Sequence, residues 1–146
     1  MLHNWFEVKV KFEKTLESGN LKKVSELFLF DALTFTEAEA RTIKEITPFS
    51  NGDFEVAAIK KAKVNELFFS EEGDKWYRCK VNFITLDEKS GAEKKTASVM
   101  MVQASTNAKA HEHLVKEMAG TLADYEVADV SETKILDVYP YEQAQD

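Results

Sequence analysis

The chain reads as an α+β protein made by internal duplication of a ββαββ unit, and three observations lead to that class. The first is a repeat: NWFEVKVKF from Asn4 returns as KWYRCKVNF from Lys75, and Ser18-Gly19 returns as Ser90-Gly91. Lys22-Lys23 returns as Lys94-Lys95, Ala32 and Thr34 as Ala104 and Thr106, Lys44-Glu45 as Lys116-Glu117, and Glu55-Val56-Ala57 as Glu126-Val127-Ala128. The second is strict apolar alternation at the start of each copy, the period of a half-buried strand. The third is a single helical pattern in the middle of each copy. Two such units in 146 residues are expected to form one domain around one core, since small units bury too little surface alone. The expected boundaries are residues 4–69 and 75–139 for the repeats and 140–146 for a short acidic tail. The expected architecture is a pair of curved antiparallel sheets with two helices and pseudo-twofold symmetry.

Each element has its own warrant. Phe6, Val8, Val10 and Phe12 alternate with Trp5, Glu7, Lys9 and Lys11, and Tyr77, Cys79, Val81 and Phe83 alternate with Trp76, Arg78, Lys80 and Asn82. The Ser-Gly turns lead into second strands expected at 24–32 and 96–104, giving two hairpins. Thr36 with Glu39 has capping-box spacing, and Ile43 and Ile46 supply an apolar edge to the first helix. In the second helix Asn107 is the expected N-cap, with Ala110, Leu114, Val115 and Met118 as the buried stripe. The extended runs 54–69 and 125–139 are longer than ordinary strands, so each is expected to bend or break in two.

Composition narrows the function. The chain is 44% hydrophobic and 11% aromatic with five glycines and two prolines, which suits one filled core without linkers. One cysteine, Cys79, cannot form an internal disulfide and fits a reducing cytoplasm. No signal-peptide pattern or long apolar run occurs, so a cytoplasmic protein without a membrane partner is expected. No phosphate-binding glycine loop or nucleophile elbow is found. His111 and His113 are two residues apart on a helix and point roughly 200° from each other, which disfavours joint metal ligation. Cys79 lies in an apolar ladder and reads as a small core residue. Glu37, Glu39 and Glu45 sit on or near a helix start and exposed face, where acids complement the dipole. A non-enzymatic protein without metal or cofactor is the expectation.

One surface carries a chemical pattern. Trp5, Lys9 and Lys11, and again Trp76, Arg78 and Lys80, place an indole beside cations at strand spacing opposite the apolar ladder. Indole faces stack on bases and cations track phosphates, so this is the minimal platform for single-stranded nucleic acid. Lys22, Lys23, Lys94 and Lys95, with Lys60, Lys61 and Lys63, would extend it. The competing reading is that both tryptophans lid the core and the lysines keep the sheet soluble. A formal charge of −7 opposes polyanion binding. The acids nevertheless gather in Glu71-Glu72-Gly73-Asp74, in the first helix and from Asp124 onward, which would leave the hairpins as a basic face.

Read from the middle of the chain, four strands at 54–59, 63–69, 76–83 and 96–104 run directly into the second helix. This ββββα order resembles that of Whirly and Pur-type proteins, a resemblance that implies curved sheets binding single-stranded nucleic acid, with the chain a circular permutation of two such units. A ferredoxin-like pseudo-dimer with added hairpins is the plainer alternative. The strings NWFEVKVKFEK, DALTFTEAEARTIKEITPF, AKVNELF, KWYRCKVNFITLDEKSGAEKKTA and DVYPY are similar to an uncharacterised family of short proteins from Bacteroides-type gut bacteria and their phages. That resemblance implies a bacterial or phage-infected cytoplasm and transfers no activity or site. The expected function is single-stranded DNA or RNA binding. The alternative is a protein-interaction or assembly accessory module, with the acidic tail as one route to protein partners and homo-oligomerisation compatible with either.

Overall fold

The computed structural model describes residues 4–50 and 52–141. The elements follow in the order β1 (Trp5–Thr15), β2 (Leu21–Asp31), α1 (Phe35–Ile46), β3 (Phe54–Ala62), β4 (Glu66–Phe68), β5 (Lys75–Leu86), β6 (Glu93–Ala104), α2 (Asn107–Glu117), β7 (Asp124–Glu132) and β8 (Ile135–Tyr139). A 3-10 turn, Thr47–Phe49, follows α1. The chain is thus α+β, its described residues forming two helices and two similar four-stranded sheets, which fits a duplicated unit. Both long extended runs do break in two, between Ala62 and Glu66 and between Glu132 and Ile135.

The breaks change the topology. The described residues form two compact units, one running through Lys63 and resuming at Ile135, the other spanning Val64–Lys134. In unit 1 the strand order is β3-β1-β2-β8, and in unit 2 it is β7-β5-β6-β4. Each repeat therefore gives its last strand to the sheet of the other repeat. The expected grouping of four consecutive strands before α2 is corrected accordingly. β3 pairs along β1, so only β4, β5 and β6 of that run share a sheet, and β8 without β7 joins the first hairpin. The expectation of wholly antiparallel sheets is corrected too, because β8 lies parallel to β2 and β4 parallel to β6.

Local chemistry secures this arrangement. The hairpin turns need a left-handed residue, supplied by Gly19 at φ 86° and Gly91 at φ 72°, where any side chain would be strained. Both β1–β3 and β5–β7 pairings carry a register shift at the same place, between Lys9 and Val10 and between Lys80 and Val81. The exchanged strand β4 is fastened at its entry by Asn65, whose N–H donates to the Val99 carbonyl at 2.7 Å while its Oδ1 accepts the Val99 N–H at 2.8 Å. Before β8, Thr133 donates from both N and Oγ1 to the Trp76 carbonyl, at 2.9 and 2.8 Å.

The helix starts differ from the expected ones. Thr34 caps α1, its Oγ1 accepting the Glu37 N–H at 3.1 Å, and Glu37 Oε1 accepts the Leu33 N–H at 3.0 Å. Thr106 caps α2 by accepting the Lys109 N–H at 3.1 Å, while Asn107 is the first helical residue and donates to the Val130 carbonyl at 2.8 Å. These two threonines are the pair matched by the repeat, and a capping oxygen belongs just before the helix rather than inside it. The buried stripes are Ala38, Thr42 and Ile46, and Ala110, Leu114 and Met118; Ile43 and Val115 face solvent. Beneath α1 they meet Phe6, Val8, Val10, Phe28 and Phe30, and beneath α2 they meet Tyr77, Cys79, Val81, Met100 and Val102.

Removing either cap by Thr34→Ala or Thr106→Ala should cost about 1 kcal/mol, read as a lower urea midpoint with unchanged slope. The Thr36→Ala substitution should leave the α1 cap intact, and an equal loss in that variant would contradict the assignment.

Candidate functional site

The outer sheet face is where the sequence placed a nucleic-acid platform, and the structure distributes its residues unevenly. Trp5 is 6% exposed and Trp76 is 2% exposed, so in the folded chain neither indole presents a ring face to a base. Both sit at strand starts on the side away from the helix. There Leu29 and Met101 are also buried, so apolar character is not confined to the helix side as simple alternation implies. Phe69 packs edge-on against Trp76 at 5.2 Å between ring centres. The cations fare better: Lys9, Lys11, Arg78 and Lys80 are exposed and form no ion pair among the described residues.

Strand register also breaks up the basic face. Lys22 pairs opposite Lys14 and Lys23 opposite Glu13, so alternation sends the two adjacent lysines to opposite sides of the sheet. The same holds for Lys94, opposite Thr85, and Lys95, opposite Ile84. Acids that are distant in sequence return as neighbours. Glu55 lies opposite Lys11, Asp129 lies opposite Lys80, Lys60 bridges Glu7 at 3.2 Å, and Lys95 bridges Glu126 at 2.9 Å. The hydrogen bond from Lys95, with a second from Asn82, holds the Glu126 carboxyl below its usual range, and the same contact raises Lys95. The segregation of charge expected from the sequence is therefore mixed in space, because acidic β7 pairs directly beside β5.

A different site appears on the helix side of unit 1. β1 places Val8, Val10, Phe12 and Lys14 on that face, and β2 places Lys22, Val24, Glu26 and Phe28 opposite them. With 12 residues, α1 extends only about 18 Å, whereas the 11 residues of β1 extend about 36 Å. The helix covers Phe6, Val8, Val10, Phe28 and Phe30 and ends at Ile46, leaving the hairpin from Phe12 and Val24 outward without a helical roof. The 3-10 turn partly closes it by bringing Phe49 alongside, still 75% exposed. The result is a cleft of about 770 Å³ lined by Phe12, Val24, Phe28, Phe49, Leu136 and Tyr139, with Glu13, Lys14, Glu26 and Asp137 as its charged members. Burial raises the Tyr139 phenol above its ordinary range, and the charges of Asp137 and Glu45 push it further the same way.

The chain end that forms one wall is fixed by Arg41. Its guanidinium donates to the carbonyls of Asp31, of Tyr139 at 3.2 Å and of Pro140 at 3.1 Å, and lies over the rings of Phe30 and Tyr141. The repeat places His113 at the equivalent position. Its Nδ1 donates to the Gln103 carbonyl at 3.1 Å and its Nε2 lies 3.5 Å from Glu117. This histidine is satisfied structurally, and among the described residues no cluster of potential metal ligands occurs. Residues 142–146 of the acidic tail lie outside the described residues. Among those described, no helix is long and apolar enough to cross a membrane.

A model described as a domain of unknown function, DUF4494, matches residues 4–141, nearly the whole chain and both repeats. The chain belongs to this family. No curated protein matches it. Within this DUF4494 domain the two units differ at the cleft. Position 98 carries Ser where unit 1 has Glu26, and the connection after α2 runs through Gly120 where unit 1 presents Phe49. The features missed in the sequence were legible in part: Glu26 is the only carboxylate in the apolar series Val24, Glu26, Phe28, Phe30.

Burial makes the tryptophans structural, so Trp76→Ala should cost about 3–5 kcal/mol by leaving a cavity, measured by urea unfolding. A loss under about 1 kcal/mol would show a surface residue. Cys79 gives a pH test. Burial first, and the Asp129 charge second, push its thiol from 9.0 to about 11. The folded chain then holds a proton that the unfolded chain releases, so its contribution is intact below pH 9.0 and lost as pH rises toward about 11. Stability should fall across that window more steeply in wild type than in Cys79→Ala. Iodoacetamide at neutral pH should label the thiol only after unfolding.

Proposed function

We propose that this DUF4494 domain is a non-enzymatic binding module that holds an apolar segment of a partner protein in the open helix-side cleft of unit 1. The observation that carries the proposal is the mismatch of α1 and its sheet. Part of an apolar strand face, Phe12 and Val24, stays accessible next to buried Phe28 and beside an exposed phenylalanine, Phe49. Exposed aromatic surface in a concave site favours association because water leaves it on binding. Phe49 adds little to the core at 75% exposure, and its value lies in closing over an occupant. The carboxylates in and around the cleft favour a protein segment over a polyanion.

A second reading, single-stranded DNA or RNA binding, is favoured by one observation: Lys9, Lys11, Arg78 and Lys80 remain exposed and unpaired among the described residues. Without accessible indoles it would rest on phosphate contacts, and its affinity would fall steeply with salt.

Both readings are checked together. Random dodecapeptides displayed on phage are selected on the full chain, and a labelled oligo-dT is titrated at low and moderate salt. The proposal expects selected peptides whose binding drops at least about tenfold in Phe49→Ala, with melting temperature unchanged, and no oligonucleotide binding at about 10 μM in low salt. Salt-sensitive oligonucleotide binding lost in the Lys9→Ala, Lys11→Ala double variant, with no selected peptide, would replace the first reading with the second.

A further inference from the structure

We propose that the side chain anchoring the partner segment in the unit 1 cleft is a lysine or arginine, its charge received by Glu26 and Asp137 and its stem by Phe12 and Phe49. This rests on the cleft reading above and adds the chemistry of the occupant. Glu26 occupies a position that the pattern reserves for an apolar residue. It lies opposite fully buried Val10, between Val24 and Phe28 on its own strand, and is half-buried. It accepts no hydrogen bond and forms no ion pair among the described residues. Neither Lys14 nor Lys22, further out on the same face, bridges to it.

A half-buried carboxylate beside aromatic surface and without a protein partner is a place where a cation can be received. Asp137 stands on the neighbouring strand, in register with Phe28, so the two carboxylates are diagonal neighbours across β2 and β8. Its Oδ1 accepts the Val138 N–H at 2.8 Å, leaving the other oxygen available. The lining holds three carboxylates, Glu13, Glu26 and Asp137, and one ammonium, Lys14, with Lys22 further out on the same face. Aromatic rings beside carboxylates suit a cation with an apolar stem, since the ring faces and the carboxylates attract the same charge. Unit 2 lacks this combination, having Ser98 in place of Glu26.

The test uses the full chain and the strongest dodecapeptide from the phage selection, synthesised unmodified and with its lysine acetylated, or with arginine replaced by citrulline. The expected peptide carries at least one basic residue within apolar neighbours. Removing its charge should weaken binding about tenfold or more to wild type, and markedly less to Glu26→Gln, where Asp137 alone remains to receive it. Equal binding of charged and neutral peptides to wild type, or the same loss in wild type and Glu26→Gln, overturns the cation anchor. If such peptides still lose binding in Phe49→Ala, the cleft reading survives that failure. If they are indifferent to Phe49→Ala, or no peptide is selected, both fall. Thermal melting of Glu26→Gln guards the comparison, since this variant keeps shape and should fold at least as stably as wild type.

Discussion

A helix advances about 1.5 Å per residue and a strand about 3.3 Å, and the rest of this structure follows from that difference. Each repeat supplies strands and a helix of nearly equal residue number, so neither helix can roof its sheet from end to end. The covered half becomes the core beneath the helix. The uncovered half must become polar, be covered by something else, or remain as an apolar cleft. In unit 2 the outer hairpin carries Thr96 and Ser98 on the helix side, in line with the first solution. In unit 1 the matching positions are Val24 and Glu26, with Phe12 opposite and Phe49 brought in by the turn, and the cleft persists. Duplication thus produced two scaffolds of the same kind whose side chains diverge where the helix ends.

The exchange of last strands gives the second constraint. β2 and β6 would each expose an unpaired edge without β8 and β4, and such an edge invites pairing with other chains. β8 and β4 cover part of those edges, and each is fastened near its end from one helix position. Arg41 binds the carbonyls that close β8, and His113 binds Gln103, whose side-chain oxygen receives the Ser70 N–H after β4 at 2.9 Å. The arginine replaces one hydrogen bond with several and adds ring contacts on two sides. The wall of the cleft formed by Leu136, Asp137 and Tyr139 is therefore set by a strand arriving from the other repeat.

Much of the fold was legible because repetition and alternation are properties of sequence. The ββαββ order, the hairpins and the breaks in the long runs followed from the duplicated strings and from strand-length limits. Partnership was not legible, because β3 and β4 are continuous in sequence and only pairing decides that they join different sheets. The tryptophans show the limit of alternation. A residue at a strand start can be buried on the face opposite the main ladder, and Trp5 and Trp76 are. Adjacent lysine pairs look like patches in a string, yet a strand divides them between two faces. Glu26 was visible as a lone acid among apolar positions, but its meaning depends on where α1 stops.

Charge then separates the functional readings. On the outer face Lys11, Lys80 and Lys95 have acids opposite or beside them, whereas the unit 1 cleft has an excess of carboxylates next to aromatic rings. That excess of carboxylates is what the proposed cationic occupant rests on. The most direct measurement is an isotope-filtered NMR experiment on the full chain bound to a selected peptide, recording intermolecular NOEs. The account predicts NOEs from the peptide's basic side chain to the rings of Phe12 and Phe49. NOEs confined to the outer face around Lys9, Lys11, Arg78 and Lys80 would contradict it.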